Sequence, residues 1–172
     1  KTLSRYYGQT VSPFRRQEIE LLSRVVQEGD ADQGTRILSS ISSNLDFATM
    51  QNLADSVAEG NSTIGVATLL SPDAPEVTRE ILAGKNIASE DVKAPRNERR
   101  TIMDDVIGEA FRGTPVSRNA FLEAASAIYR RKAVQAGETD EFNPERFRKA
   151  AQMVSFGRVG QNGEVKNGIV QI

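Results

Sequence analysis

The 172-residue chain contains no histidine and no cysteine. Any catalytic or metal site must therefore be built from carboxylates, from serine and lysine, or from groups that bind phosphate. Lack of imidazole removes the usual general base, the Ser-His-Asp triad and the histidine metal ligand. Lack of thiol removes the other common nucleophile, thiolate metal sites and disulfides.

The carboxylates fall into three sets. Asp104 and Asp105 are adjacent on a predicted helix; side chains one residue apart diverge by about 100° there and cannot share one substrate or ion. Asp30 and Asp32 precede Gln33-Gly34 like part of a calcium loop, but the remaining ligands and the terminal Glu of that motif are missing. Capping acids in a helix-turn-helix linker account for them. Glu138, Asp140 and Glu141 lie before a helix start, where negative charge is stabilised without a ligand. No Gly-x-Gly-x-x-Gly or Gly-x4-Gly-Lys-Ser/Thr string offers a phosphate cradle. A carboxylate-only glycan enzyme needs two acids held across a sugar, and the chain has no tryptophan to line such a cleft. The sequence thus assigns no catalytic residue, no cofactor or cofactor-binding residue, and no metal ligand.

Basic residues cluster twice: Arg96, Arg99 and Arg100 at a helix start, and Arg130, Arg131 and Lys132 near a helix end. The second arrangement suits the helix dipole and the first opposes it. Arg15-Arg16 and Arg146, Arg148 and Lys149 add scattered charge. With 22 basic against 23 acidic residues, the net charge of −1 argues against a nucleic-acid partner. Solvated faces are the expected role of these cations.

The elements that position these groups are predicted to be helices. Ser12-Pro13 reads as an N-cap and first-turn proline, followed by Ile19, Leu22 and Val26 up to Gly29. A second helix runs through Ile37, Leu38, Ile41 and Leu45. Asp46 caps a third, with Met50, Leu53, Ala54 and Val57 as a full apolar stripe and Gly60 as its stop. Ser62 opens a short helix through Val66 and Leu70, stopped by Ser71-Pro72. Asp73-Ala74-Pro75-Glu76 supplies an acidic cap and proline for the next, which carries Val77 and Ile81 and stops at Gly84. After a connection containing Lys93-Ala94-Pro95, Asn97 caps a helix with Met103, Val106, Ile107, Ala110 and Phe111 inward. Gly113-Thr114-Pro115 breaks it. Ser117 caps a long helix bearing Phe121, Ala124, Ala125 and Ile128 and ending near Gly137; Asn143-Pro144 starts the last, through Phe147, Ala151 and Val154. Two Asn-Gly pairs, Asn162-Gly163 and Asn167-Gly168, then sit among Val159, Val165, Ile169, Val170 and Ile172, the signature of a small β-hairpin.

The expected fold class is all-α: packed helical hairpins with a small C-terminal β-hairpin. Its organisation is an irregular arm over 1–11, a helical hairpin subdomain over 12–84, a linker over 85–96, a helical subdomain over 97–157 and a hairpin tail over 158–172. Leu22, Val26, Glu28, Gly29, Gly34 and Leu38 recur 31 residues later as Leu53, Val57, Glu59, Gly60, Gly65 and Leu69, which predicts a pair of stacked αα-hairpins. Apolar residues are 38% of the chain and roughly 45% with glycine, enough for a core. No run of 18 apolar residues or secretory h-region appears. The start at Lys1 reads as a piece of something longer.

The stretch from Phe121 to Ile172 resembles the C-terminal helical region of large tailed-phage or prophage virion proteins, the internal, ejection or tail-associated polypeptides. The likeness rests on "AIYRRKA" (Ala127 to Ala133), an acidic glycine-containing loop, "FNPERFRKAAQMVSFG" (Phe142 to Gly157) and a β-like tail with "QNG" (Gln161 to Gly163). Some of these polypeptides carry a lytic transglycosylase domain, whose catalytic Glu is usually followed by Ser; no Glu-Ser dipeptide occurs here. The resemblance implies a non-catalytic structural or interaction role in assembly or genome delivery. Partners would be other virion proteins or a second copy, with no small-molecule substrate, in the virion or the bacterial host cytoplasm. Two rival expectations are a bacterial helical-repeat-like adaptor that binds a peptide or protein, and a carboxylate-only glycan-processing enzyme.

Overall fold

A computed structural model describes residues 15–107 and 115–156 and the backbone of 158–159 and 165–166; for 115–117 and 156, too, only the backbone is described. Eight α-helices make up the described fold: α1 (Arg16–Glu28), α2 (Ala31–Ser42), α3 (Phe47–Gly60), α4 (Ser62–Leu70), α5 (Pro75–Gly84), α6 (Arg96–Ile107), α7 (Pro115–Ala136) and α8 (Pro144–Phe156). Arg158–Val159 and Val165–Lys166 pair antiparallel, Arg158 opposite Lys166. Both Asn-Gly pairs, and with them the rest of the hairpin expected over 158–172, lie outside the described residues, as do Ala110, Phe111 and the arm over 1–11.

The all-helical architecture follows from the apolar periodicity. Met50, Leu53, Ala54 and Val57 are all buried on α3, as are Phe121, Ala124, Ala125 and Ile128 on α7 and Phe147, Ala151 and Val154 on α8. Helix α4 is apolar nearly all round, and six of its nine residues are buried; such a helix belongs in the interior. It packs against α3, α5 and α7, while α7 also meets α5 and α8, and α8 packs on α6. One continuous core results. The connection over 85–96 is itself packed: Val92 is buried, a 3-10 turn spans Ser89–Asp91, and the Lys93 N–H donates to the Thr139 carbonyl at 2.8 Å.

The two 31-residue units share local devices. Asp30 and Asn61, one unit apart, each cap a second helix, accepting from Gln33 N–H at 2.7 Å and Ile64 N–H at 3.1 Å. Gly34 and Gly65 then let that helix approach its neighbours. A Cβ at Gly34 would lie 2.8 Å from Leu82 Cδ1, and one at Gly65 2.7 Å from Ala58 Cα.

Several predicted helix ends move. Arg15 is extended, so α1 begins at Arg16 and does not run on from Pro13; the Ser12-Pro13 start lies outside the described residues. The second helix stops at Ser42, short of Leu45. Asn61 rather than Ser62 provides the cap of α4. The cap position of α5 is Ala74, not Asp73, because Pro75 takes the first helical position and Thr78 N–H reaches the Ala74 carbonyl. Proline again sets the start of α6: the Pro95 carbonyl accepts from Arg99 N–H, which places Asn97 inside the first turn. Pro115 opens α7 instead of only ending the helix before it, so Ser117 is internal.

The glycine stops also divide by role. Gly137, at φ +70°, ends α7 in the left-handed conformation; Glu138 N–H bonds to Ala133 O and Gly137 N–H to Val134 O, closing a Schellman motif. Gly84 is the last residue of α5 but is buried against α7, where a Cβ would lie 2.6 Å from the Ala127 carbonyl carbon. It is a crossing-point residue.

Candidate functional site

The acidic sets that could have carried chemistry are dispersed. Asp104 and Asp105 diverge as their spacing requires. Asp104 lies 3.4 Å from Arg118 of α7, and Asp105 accepts from Arg148 of α8 at 2.7 Å. Each acid thus ties α6 to a different helix, a tertiary role beyond the solvated surface expected of them. Asp30 caps α2 while Asp32 pairs with Arg79 across to α5. That hydrogen bond and charge hold the Asp32 carboxyl below its ordinary value. Glu138 pairs with Arg146 at 2.9 Å, bracing the α7–α8 turn. Among the described residues no three acids gather closely enough to hold a metal ion, and no helix is long and apolar enough to cross a membrane.

The second basic cluster splits. Arg131 and Lys132 both turn to Glu80 of α5, at 2.7 and 3.6 Å, all three side chains partly shielded. Arg130 points elsewhere and meets the first cluster. With Arg96 and Arg99 of α6, Glu123 and Ser126 of α7, and Ser89 and Glu90 of the 3-10 turn, it lines a pocket of about 370 Å³. Val92 and Ala94 supply the apolar part of the wall.

Hydrogen bonds and ion pairs organise this pocket. Arg99 donates from Nε to the Ala94 carbonyl at 2.9 Å and from Nη1 to Ser126 Oγ at 2.7 Å. Ser126 is buried, and its hydroxyl donates a hydrogen bond to the Leu122 carbonyl at 2.7 Å. Arg96 reaches Asn119 Oδ1 at 3.1 Å and Glu123 at 3.7 Å. Arg130 is half-buried, and its Nε is buried without a hydrogen-bond partner. Burial pulls the Arg99 and Arg130 guanidiniums below the usual arginine value; Glu123 opposes the shift, and a neighbouring arginine adds to it in each case. Both stay protonated at any ordinary pH. The arrangement offers guanidinium donors to an oxyanion.

Sequence reasoning named Arg96, Arg99 and Arg130 but put them in separate solvated clusters, and it missed Glu123 and Ser126. A signal existed. Glu123, Ser126 and Arg130 recur at i, i+3 and i+7, a polar stripe on a helix otherwise rich in alanine and apolar residues. Aromatic residues of the "AIYRRKA" and "FNPERF" segments form a separate, structural group. Tyr129, Phe142 and Phe147 pack with ring centroids 5.3 to 6.0 Å apart, and the Tyr129 hydroxyl accepts from the Asn143 N–H at 2.9 Å.

A second concavity lies between α1 and the end of α3, lined by Ile19, Arg24, Gln27, Glu59 and Asn86 among others. Leu21 and Val25 stand exposed on α1, four residues apart. No protein-family model matches the chain, and neither does any curated protein or solved structure.

Proposed function

We propose that the chain is a non-catalytic structural and interaction domain of a larger phage or prophage virion protein, acting through contacts with other virion proteins or with a second copy during assembly or genome delivery. The observation that carries the non-catalytic part is where the ionisable groups go. Asp32–Arg79, Glu80–Arg131, Asp104–Arg118 and Asp105–Arg148 each join two different helices. Groups spent on holding a fold are not free to be tuned for proton transfer. The virion setting is supported by the resemblance of residues 121–172 to the helical ends of such polypeptides. Phage particles from cells that carry the gene, purified on a density gradient and analysed by mass spectrometry, will contain this chain at a copy number typical of structural components. Its absence from the particles rejects the virion role.

A helical adaptor that binds a protein partner is the second reading. The 31-residue correspondence of caps and close-approach glycines favours it, because stacked helical hairpins build extended binding faces.

A further inference from the structure

The pocket between the 3-10 turn, the start of α6 and the middle of α7 holds more cation than it pairs. Arg96, Arg99 and Arg130 face Glu90 and Glu123, which leaves one positive charge in excess. Glu123 is engaged by Arg96 at 3.7 Å. Arg99 spends Nε and Nη1 on neutral oxygens. Arg130 has a buried Nε with no hydrogen-bond partner. That Nε is closed to solvent, so an anion in the pocket would meet the rest of the guanidinium. A half-buried guanidinium short of partners is unfavourable, and an oxyanion against its terminal nitrogens would offset part of that cost with a charge-assisted hydrogen bond.

We propose that this pocket binds a single carboxylate presented by a partner protein, with Arg130 and Arg99 as the two binding residues. A carboxylate fits better than a phosphate because one excess positive charge matches a monoanion, and Glu90 and Glu123 would repel the second charge of a phosphate. Arginine's planar fork suits a carboxylate, and the Ser126 hydroxyl fixes Arg99 so that little rotamer freedom is lost on binding. The inference rests on the interaction role above only for the partner's being a protein. It supplies that role's recognition chemistry: an acidic side chain, or a chain's C-terminal carboxylate, inserted from outside.

The test is a nitrogen-15 correlation spectrum of the arginine Nε–H groups of the full chain, at constant ionic strength. The probes are sodium acetate, N-acetyl-glutamate N-methylamide (side-chain carboxylate only), N-acetyl-alanine (terminal carboxylate only), inorganic phosphate and chloride. We expect saturable shifts of Arg99 and Arg130 with the carboxylates, none with chloride, and no tighter binding of phosphate. The stronger of the two amino-acid probes identifies the source of the carboxylate. Arg130→Gln will weaken acetate binding by about fivefold or more, and Glu123→Gln will tighten it by about threefold. Absence of saturable shifts overturns the proposal, as does acetate binding unchanged by Arg130→Gln in a folded protein. Phosphate binding tenfold tighter than acetate overturns the carboxylate assignment. Should Arg130→Gln fail to fold, Glu123→Gln decides, since unchanged or weaker binding there rejects the site. Particle composition and hydrolase assays do not read this pocket, so failure here and failure of the structural role are separable.

Discussion

Gly84→Ala is expected to be among the most costly single-methyl additions in the fold. The added Cβ would lie 2.6 Å from the Ala127 carbonyl carbon, whereas carbon atoms pack at about 3.5 Å or more. The obstacle is backbone, so no rotamer change relieves it, and α5 must draw back from α7 by about 1 Å. A gap of that size forfeits a quarter to a half of each dispersion contact across it, and buried Val77 and Ile81 lie on the same side of α5 as Gly84. Overpacking of this kind costs about 1–3 kcal/mol, and unyielding backbone puts it at the upper end. Alanine's helix propensity returns at most about 1 kcal/mol, less in a last turn. The net expectation is a loss of roughly 2 kcal/mol. Gly60→Ala is the control: it also ends a helix, but nothing lies within 4 Å of its built Cβ and its φ is not positive. That variant should be neutral or gain up to about 1 kcal/mol. Urea melts of both, compared at constant m-value, provide the assay. A Gly84→Ala variant within about 0.5 kcal/mol of the parent would show that α5 and α7 do not cross closely at Ala127, and the packing argument would fall.

Three further outcomes are expected. Leu53→Ala, at a fully buried centre of the α3 stripe, should cost about 2–5 kcal/mol in the same melts; a loss below about 0.5 kcal/mol would mean that face is exposed. Tyr129→Phe removes the acceptor of the Asn143 N–H and should cost about 1 kcal/mol, with faster amide exchange at Asn143. Asp32 has its pKa lowered by Arg79, so its contribution is present above the unfolded value of 3.8 and is lost as pH falls through the lower folded value. Acid melts of Asp32→Asn should accordingly show a weaker loss of stability below that pH than the parent; identical acid profiles would reject the Asp32–Arg79 tie.

Helices were legible because each needed only its own apolar spacing. Met50, Leu53, Ala54 and Val57 announce α3 without reference to anything else. Helix starts were less legible wherever a proline competed with a better capping side chain: Pro75 displaced Asp73, Pro95 displaced Asn97 and Pro115 displaced Ser117. Fixed φ suits the first helical position at Pro75 and Pro115, whereas Pro95 stands just before α6 and its carbonyl accepts from Arg99 N–H; in each case the polar side chain is left outside or inside the turn. Gly60 and Gly84 read alike in sequence as stops, and only tertiary packing separates an open end from a crossing point. The arginine pocket was hidden for the same reason. Arg99 and Arg130 are 31 residues apart, and no local pattern says that the start of α6 lies against the middle of α7. On α7 alone, the Glu123, Ser126, Arg130 stripe marked a polar face whose partner could not be named.

Asp32, Glu80, Asp104 and Asp105 hold helices together, and we propose that the chain performs no hydrolytic chemistry. That central claim is tested most directly by incubating the purified chain with cell-wall sacculi and measuring released muropeptides by chromatography. Release should not exceed a buffer control. Release above that control, abolished by changing a single Glu to Gln or Asp to Asn in a variant that remains folded, would contradict the account and put a carboxylate-only glycan enzyme in its place.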